Sequence, residues 1–282
     1  MQHTVGDGYA VAHFMKTWSD VARGLDITLL PFIDRTVLQV TNPPSPKFHH
    51  IEYDAAPTLK DPSGTINDKK DDISCTIFKI TKEQLDILRG KAKHSGDKGR
   101  YSSYEMLAGH IWRCVSKARN LEEDQETRLH ITIDSRSRLR PPLPRGYFGN
   151  AIFTTTPMAR AGELVSNPVN YAASIIHEVL VQTDDEYLRS ALDYLELQSD
   201  FNNLIRGGPM FRCPNLNIVS WARMPIYDSD FGWGKPIYMG PGGTYEGLAY
   251  IMPSPTNDES LSLLIGLNSD HMVSFEKLLY QF

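Results

Sequence analysis

Residues 2–14 read QHTVGDGYAVAHF. His3 precedes Asp7 by four places, and Gly6 and Gly8 flank the aspartate. Glycine permits the tight backbone turn that such a loop needs. Directly after it, Val11, Phe14, Trp18, Val21 and Ala22 recur at helical spacing, and Gly24 follows as a stop signal. The stretch predicts a loop running into a helix of about four turns. An imidazole titrates near neutral pH, which suits proton transfer at a hydroxyl or amine. The same spacing also fits a histidine at a helix start, with Asp7 near the cap, where a carboxylate complements the helix dipole. A metal pair would need a third ligand, and none stands at a recognisable spacing.

Beyond this helix the pattern changes. Residues 26–70 carry Pro31, Pro43, Pro44, Pro46, Pro57 and Pro62 and show little period. Such a length predicts a connection between domains rather than a loop within one. From residue 74 the chain reads as mixed α/β. CTIFKI, RLHITID, AIFTTTP, LNIVSW, GLAYIMP and LSLLIGL are strand candidates by alternation and β-branching. Thr81 with Gln84, and Ser102 with Glu105, have capping-box spacing ahead of apolar helical runs. Residues 163–197 read as mostly helical, and SDHMVSFEKLLYQF closes the chain as an amphipathic helix. Strands and helices do not alternate strictly, so a mixed sheet is expected rather than a Rossmann fold.

Composition narrows the function. The 282 residues suffice for a sizeable core and two lobes. With 41% hydrophobic and 22% charged residues, the chain is globular rather than disordered. A net charge of -5 excludes the basic footprint that nucleic-acid binding needs. No apolar run approaches the roughly 18 residues of a membrane span, and no secretory signal is visible. The three cysteines, Cys75, Cys114 and Cys213, form no CxxC pair and suit a reducing compartment, with the cytoplasm as the expected location.

A second glycine-rich stretch, DFGWG, occupies residues 230–234. Gly232 and Gly234 around Trp233 imply a backbone that tolerates no side chains there, and Asp230 opening the turn could hold an arginine. A kinase reading of Asp-Phe-Gly fails, because no glycine-rich loop, strand lysine or His-Arg-Asp loop accompanies it. HTVGDG early and DFGWG late, taken together, resemble the two signature motifs of the plant BAHD acyltransferases, and YFGN at 147–150 looks like a third. TWSDVARGLDITLLPFIDRT, YSSYEMLAGHIWR, LDYLELQ and MGPGGTYEGLAYIMPSPTNDESLSL are similar to the branch that moves hydroxycinnamoyl groups to shikimate or quinate.

The resemblance implies a two-domain, chloramphenicol acetyltransferase-like fold with mixed sheets. In the family the His-Asp motif ends the first domain, so most of that domain would be missing here. Residues 1–25 would be its remnant, 26–70 the linker and 71–282 the C-terminal domain, with 236–256 crossing toward the first. It further implies direct transfer from a coenzyme A thioester co-substrate, with no bound cofactor, no metal, no membrane and a monomeric chain. His3 would be the general base, and the Trp221 indole N–H would meet the oxyanion. Asp7 and Gly8, and Asp230 with Gly232, Trp233 and Gly234, would be structural; Arg136 is the expected partner of Asp230, with Arg138 second. Arg206 would grip the acceptor's carboxylate. Val219 stands where acceptor-binding members carry a hydroxyl residue. Ser102, Ser103, Lys91, Lys93, Lys98 and Arg100 resemble the phosphate-binding edge for coenzyme A. Two alternatives stay open: the same chemistry on another phenolic or amine acceptor, and an inactive coenzyme A-binding fragment.

Overall fold

The computed structural model describes residues 2–59, 72–94, 101–200, 204, 208–256 and 258–282. Its centre is one mixed sheet, in the order β1-β7-β6-β5-β2-β3, with β4 pairing the start of β2. The strands are β1 (Ile73–Ile80), β2 (Glu126–Asp134), β3 (Ile152–Thr155), β4 (Met158–Arg160), β5 (Leu216–Ser220), β6 (Leu248–Pro253) and β7 (Leu261–Asn268). β2, β5 and β6 run parallel in the middle, and the pairs β1–β7, β6–β7 and β2–β3 are antiparallel. The expected mixed sheet is therefore present. The carboxyl ends of parallel strands open on a crevice, the usual place for a site in such a sheet.

Helices α1 (Gly8–Ala22), α2 (Lys82–His94), α3 (Ser103–Ala118), α4 (Ala161–Ser166), α5 (Val169–Gln182), α6 (Asp185–Glu196), α7 (Gly208–Phe211) and α8 (Ser269–Leu279) complete the fold. Both capping boxes form as the spacing predicts: Thr81 N–H donates to Gln84 Oε1 at 2.8 Å, and Ser102 caps α3 with Glu105 reciprocating. α3 is the central helix. Met106, Leu107, Ile111 and Trp112 are fully buried in the core that also takes Leu129, Ile131, Ile218 and Ile265 from the sheet. α5 crosses it closely at Gly109, where a Cβ would stand 3.0 Å from the Ala173 nitrogen.

The described part of the 26–70 segment is bonded to the body. Phe32 bridges to Tyr147, Thr41 and Ser45 donate backbone N–H groups to the buried Asp193, and Lys47 and Phe48 donate theirs to Ser190 Oγ. The hydroxyl of Ser190 has both lone pairs occupied, so its hydrogen points to His50 Nε2 at 2.9 Å.

α1 departs from a simple amphipathic reading. Its buried residues are Ala10, Ala12, Ser19 and Asp20, whereas Phe14, Trp18 and Val21 face outward. Phe14, Trp18, Phe231 and Trp233 continue as a row of ring contacts at 6.0, 5.3 and 6.3 Å. An exposed apolar patch of this kind favours association. The chain is expected to self-associate with rising concentration, and Trp18→Glu with Trp233→Glu to relieve it. Sedimentation velocity checks this; a monodisperse wild-type chain at high concentration would count against it.

Candidate active site

The His3 loop is held by the segment that follows β2 and by the YFGN stretch. Asn150 donates its side-chain amide to the His3 carbonyl at 2.7 Å, and Asp7 N–H donates to the Gly149 carbonyl at 3.4 Å. Asp7 caps α1, accepting from Ala10 N–H at 3.1 Å, and also accepts from Ala151 N–H at 2.9 Å. Arg136 closes the arrangement with a bidentate fork on Asp7, both bonds 2.9 Å, and a third bond to Asp134 at 3.0 Å. Its guanidinium also stands over the rings of Tyr9 and Tyr147. Burial pulls the Arg136 pKa down, but the bonds from Asp7 and Asp134 reverse this and leave it raised, so the group stays charged. Asp7 thus has its acceptor positions filled by structural donors and does not face His3 as a relay.

This corrects the expected pairing. Arg136 belongs to Asp7, not to Asp230. Asp230 pairs with Arg23 at 3.6 Å and accepts from Gly232 and Gly234 N–H at 2.8 and 2.9 Å. Those backbone donors, with Arg23, lower its pKa. Gly232 and Gly234 have φ of +105° and +99°, conformations that side chains rarely adopt. Arg138 donates to the carbonyls of Leu180 and Thr183 at the end of α5 instead. The reason lies in topology: Arg136 leaves the end of β2 beside the start of α1, whereas the DFGWG turn lies against the end of α1, where Arg23 and Ser19 meet it.

A cavity of about 1530 Å³ joins the loop to the sheet. His3, Asp7 and Gly8 line it together with Val219, Trp221, Ser102 and Ser103. Trp221 follows the end of β5; its ring meets Tyr250 of β6 at 5.3 Å, and its backbone N–H donates to the Ile251 carbonyl at 2.7 Å. The serines begin α3, whose N-terminus favours anions. Lys91 is elsewhere, in a smaller cavity of about 310 Å³ with His110 and Arg113. Arg206, Lys98, Arg100 and the Lys93 side chain lie outside the described residues. Burial pushes the Cys114 thiol up to about 12 and raises that of Cys213, so neither offers a ready thiolate. Among the described residues no cluster of His, Cys, Asp or Glu could hold a metal ion, and no helix is long and apolar enough to cross a membrane. No local signal in the sequence marks Asn150 or Arg23, because Asn150 meets His3 and Arg23 meets Asp230 across long stretches of chain.

The solved structure of F. sporotrichioides TRI101 with coenzyme A and T-2 superposes with a TM-score of 0.78 at 21% identity, covering 98% of this chain and 63% of that one. Vinorine synthase gives 0.68 at 21%, covering 96% and 59%. At that identity the likeness shows the fold. A shikimate O-hydroxycinnamoyltransferase of Nicotiana tabacum is 58% identical over 285 residues, covering 100% of this chain and 66% of its own length. A hydroxycinnamoyl-CoA:5-hydroxyanthranilate N-hydroxycinnamoyltransferase of Avena sativa is 48% identical, covering 99% and 63%. The chain thus spans just under two thirds of the length of these relatives. With residues 1–281 matched by the Transferase family model and more than half of all positions shared with a hydroxycinnamoyltransferase, the chain belongs to the BAHD acyltransferase family.

Proposed function

We propose that the protein transfers a hydroxycinnamoyl group from its coenzyme A thioester to a hydroxyl of shikimate or quinate. The observation that carries this is the shared cavity, in which His3, Trp221 and the first turn of α3 converge. His3 takes the acceptor's hydroxyl proton as that oxygen attacks the thioester carbonyl. The oxyanion of the tetrahedral intermediate accepts from the Trp221 indole N–H. When the C–S bond breaks, the imidazolium returns its proton to the leaving thiolate, so ester and free coenzyme A form with no acyl-enzyme. Ser102 and Ser103 at the α3 N-terminus receive the phosphate-bearing end of the donor. The three free cysteines fit a cytoplasmic location.

Arg206 supplies the acceptor's specificity in this reading, because a guanidinium fits a carboxylate bidentately. A charge-assisted hydrogen bond is worth about 1.5–3 kcal/mol, or roughly 10–150-fold in affinity. Arg206→Ala is therefore expected to raise KM by that order for shikimate, to leave KM for the thioester nearly unchanged, and to spare an uncharged analogue of the same ring. Equal weakening of both acceptors would make Arg206 scaffold. A second reading, transfer to an aromatic amine, is favoured by the likeness to the Avena sativa N-hydroxycinnamoyltransferase.

The test is product analysis with p-coumaroyl-CoA against shikimate, quinate and 5-hydroxyanthranilate. It is run on the chain itself and on a chimaera that adds the part of the tobacco relative the chain does not span. Ester with shikimate or quinate supports the reading; amide alone selects the second; product from neither sample rejects both.

A further inference from the structure

β5 and β6 run in parallel register, with Val219 beside Tyr250 and Ser220 beside Ile251. Side chains alternate between the two faces along a strand. Ile218, Ala249 and Ile251 belong to the core shared with α3. Val219 and Tyr250 therefore share the other face, and both line the large cavity. Trp221 comes two places after Val219. Its ring meets that of Tyr250 in a T-shaped contact, 5.3 Å between centroids and 64° between planes. Such a contact fixes the ring of Tyr250 against the indole.

The hydroxyl at the end of that ring makes no hydrogen bond to the described residues, although Tyr250 is half-buried. A tyrosine hydroxyl ordinarily finds a partner when it is withdrawn from water. Burial, and then the neighbouring Tyr245, raise its pKa, so the phenol keeps its proton and can both donate and accept. Val219 across the strand pair, and Ala222 next to Trp221, line the same cavity with methyl groups only. A polar group of a substrate that reaches this wall has the Tyr250 hydroxyl to meet.

We infer that the Tyr250 hydroxyl sets acceptor specificity by hydrogen-bonding a ring hydroxyl adjacent to the one that is acylated. This rests on the proposed transfer to shikimate or quinate and deepens it: the site selects a ring with adjacent hydroxyls over a ring with one. Position favours the acceptor over the acyl group as the partner. In the proposed mechanism the carbonyl under attack lies at the Trp221 indole, which Tyr250 contacts. The hydroxyl adjacent to the attacking oxygen is one carbon removed from the forming bond. The phenol of a coumaroyl group stands at the far end of a conjugated chain instead. An acceptor that lacks the adjacent hydroxyl leaves the Tyr250 phenol unpaired, which is the kind of difference a binding site discriminates well.

The experiment compares shikimate with 3-hydroxycyclohexanecarboxylate, which keeps the carboxylate and a single hydroxyl, in wild type and Tyr250→Phe. It is run with p-coumaroyl-CoA on the chain and on the chimaera. The readout is kcat/KM or, for an acceptor that is not turned over, its inhibition constant against shikimate. Tyr250→Phe keeps the ring and its contact with Trp221. It is expected to lower kcat/KM for shikimate about three- to tenfold, the worth of one neutral hydrogen bond. The single-hydroxyl acid, KM for the thioester and the melting temperature are expected to stay unchanged. Equal loss on both acceptors would make Tyr250 a support for Trp221 and overturn the inference, as would no loss on either. A loss that disappears when cinnamoyl-CoA, which lacks the phenol, replaces p-coumaroyl-CoA would assign the bond to the acyl group and overturn it too. Wild type that makes no ester with shikimate or quinate removes the proposed function and this inference together. Wild type that makes the ester but is indifferent to the substitution removes the inference alone.

Discussion

His3→Ala is expected to lower kcat by about 10²–10⁴-fold, the usual worth of general-base catalysis, while KM for the thioester changes little. In the proposed mechanism the base acts on the acceptor's proton only as the new C–O bond forms, so its removal would cost transition-state stabilisation rather than ground-state binding. Asp7→Asn separates the two halves of the motif. It keeps one acceptor oxygen but weakens the charged fork to Arg136. The melting temperature should fall, and turnover per folded molecule should fall far less than in His3→Ala. Steady-state kinetics at saturating p-coumaroyl-CoA, beside thermal melts, read both effects. Near-normal turnover by His3→Ala would end the mechanism proposed for this loop.

The second large effect is on stability. Arg136→Met leaves Asp7, whose side chain is wholly buried, without its counter-charge. Removing one partner of a buried ion pair costs about 3–5 kcal/mol, most of it the penalty of the charge left behind. Asp7→Asn/Arg136→Met should therefore be more stable than Arg136→Met alone, because the orphaned charge is gone. Denaturant unfolding of the chain and its three variants gives the coupling energy directly. An Arg136→Met chain as stable as wild type would show that Asp7 is held by its backbone donors instead.

Much of this architecture is legible in the residues. The capping boxes at Thr81–Gln84 and Ser102–Glu105 fix the starts of α2 and α3 because both partners lie within one turn. Six of the seven strands announce themselves by β-branching and alternation; the three-residue β4 does not. The contacts that assemble the site are of another kind. Arg136 and Asp7 are separated by 129 positions, and nothing local says whether the guanidinium meets Asp7 or Asp230. That choice is made by where β2 ends relative to α1. Asn150 reaches His3 across 147 positions, and His177 reaches Glu105 across 72. α1 also shows why a periodic apolar face does not say what it faces: alanines and the ion-paired Asp20 turn inward while the aromatic rings turn out.

The placement of the tryptophans gives the protein its own optical readout. Trp112 is sealed in the core with its indole N–H on Thr127 Oγ1 at 3.1 Å, whereas Trp233 is 91% exposed and Trp18 53%. Trp221 alone lines the large cavity. A collisional quencher such as acrylamide should reach Trp18 and Trp233 first, global unfolding should shift the emission of Trp112 to the red, and a ligand entering the cavity should change that of Trp221. Trp18→Phe/Trp233→Phe would silence the outer pair and leave one fluorophore for the core and one for the cavity, so that folding and occupancy are followed in a single cuvette without a label.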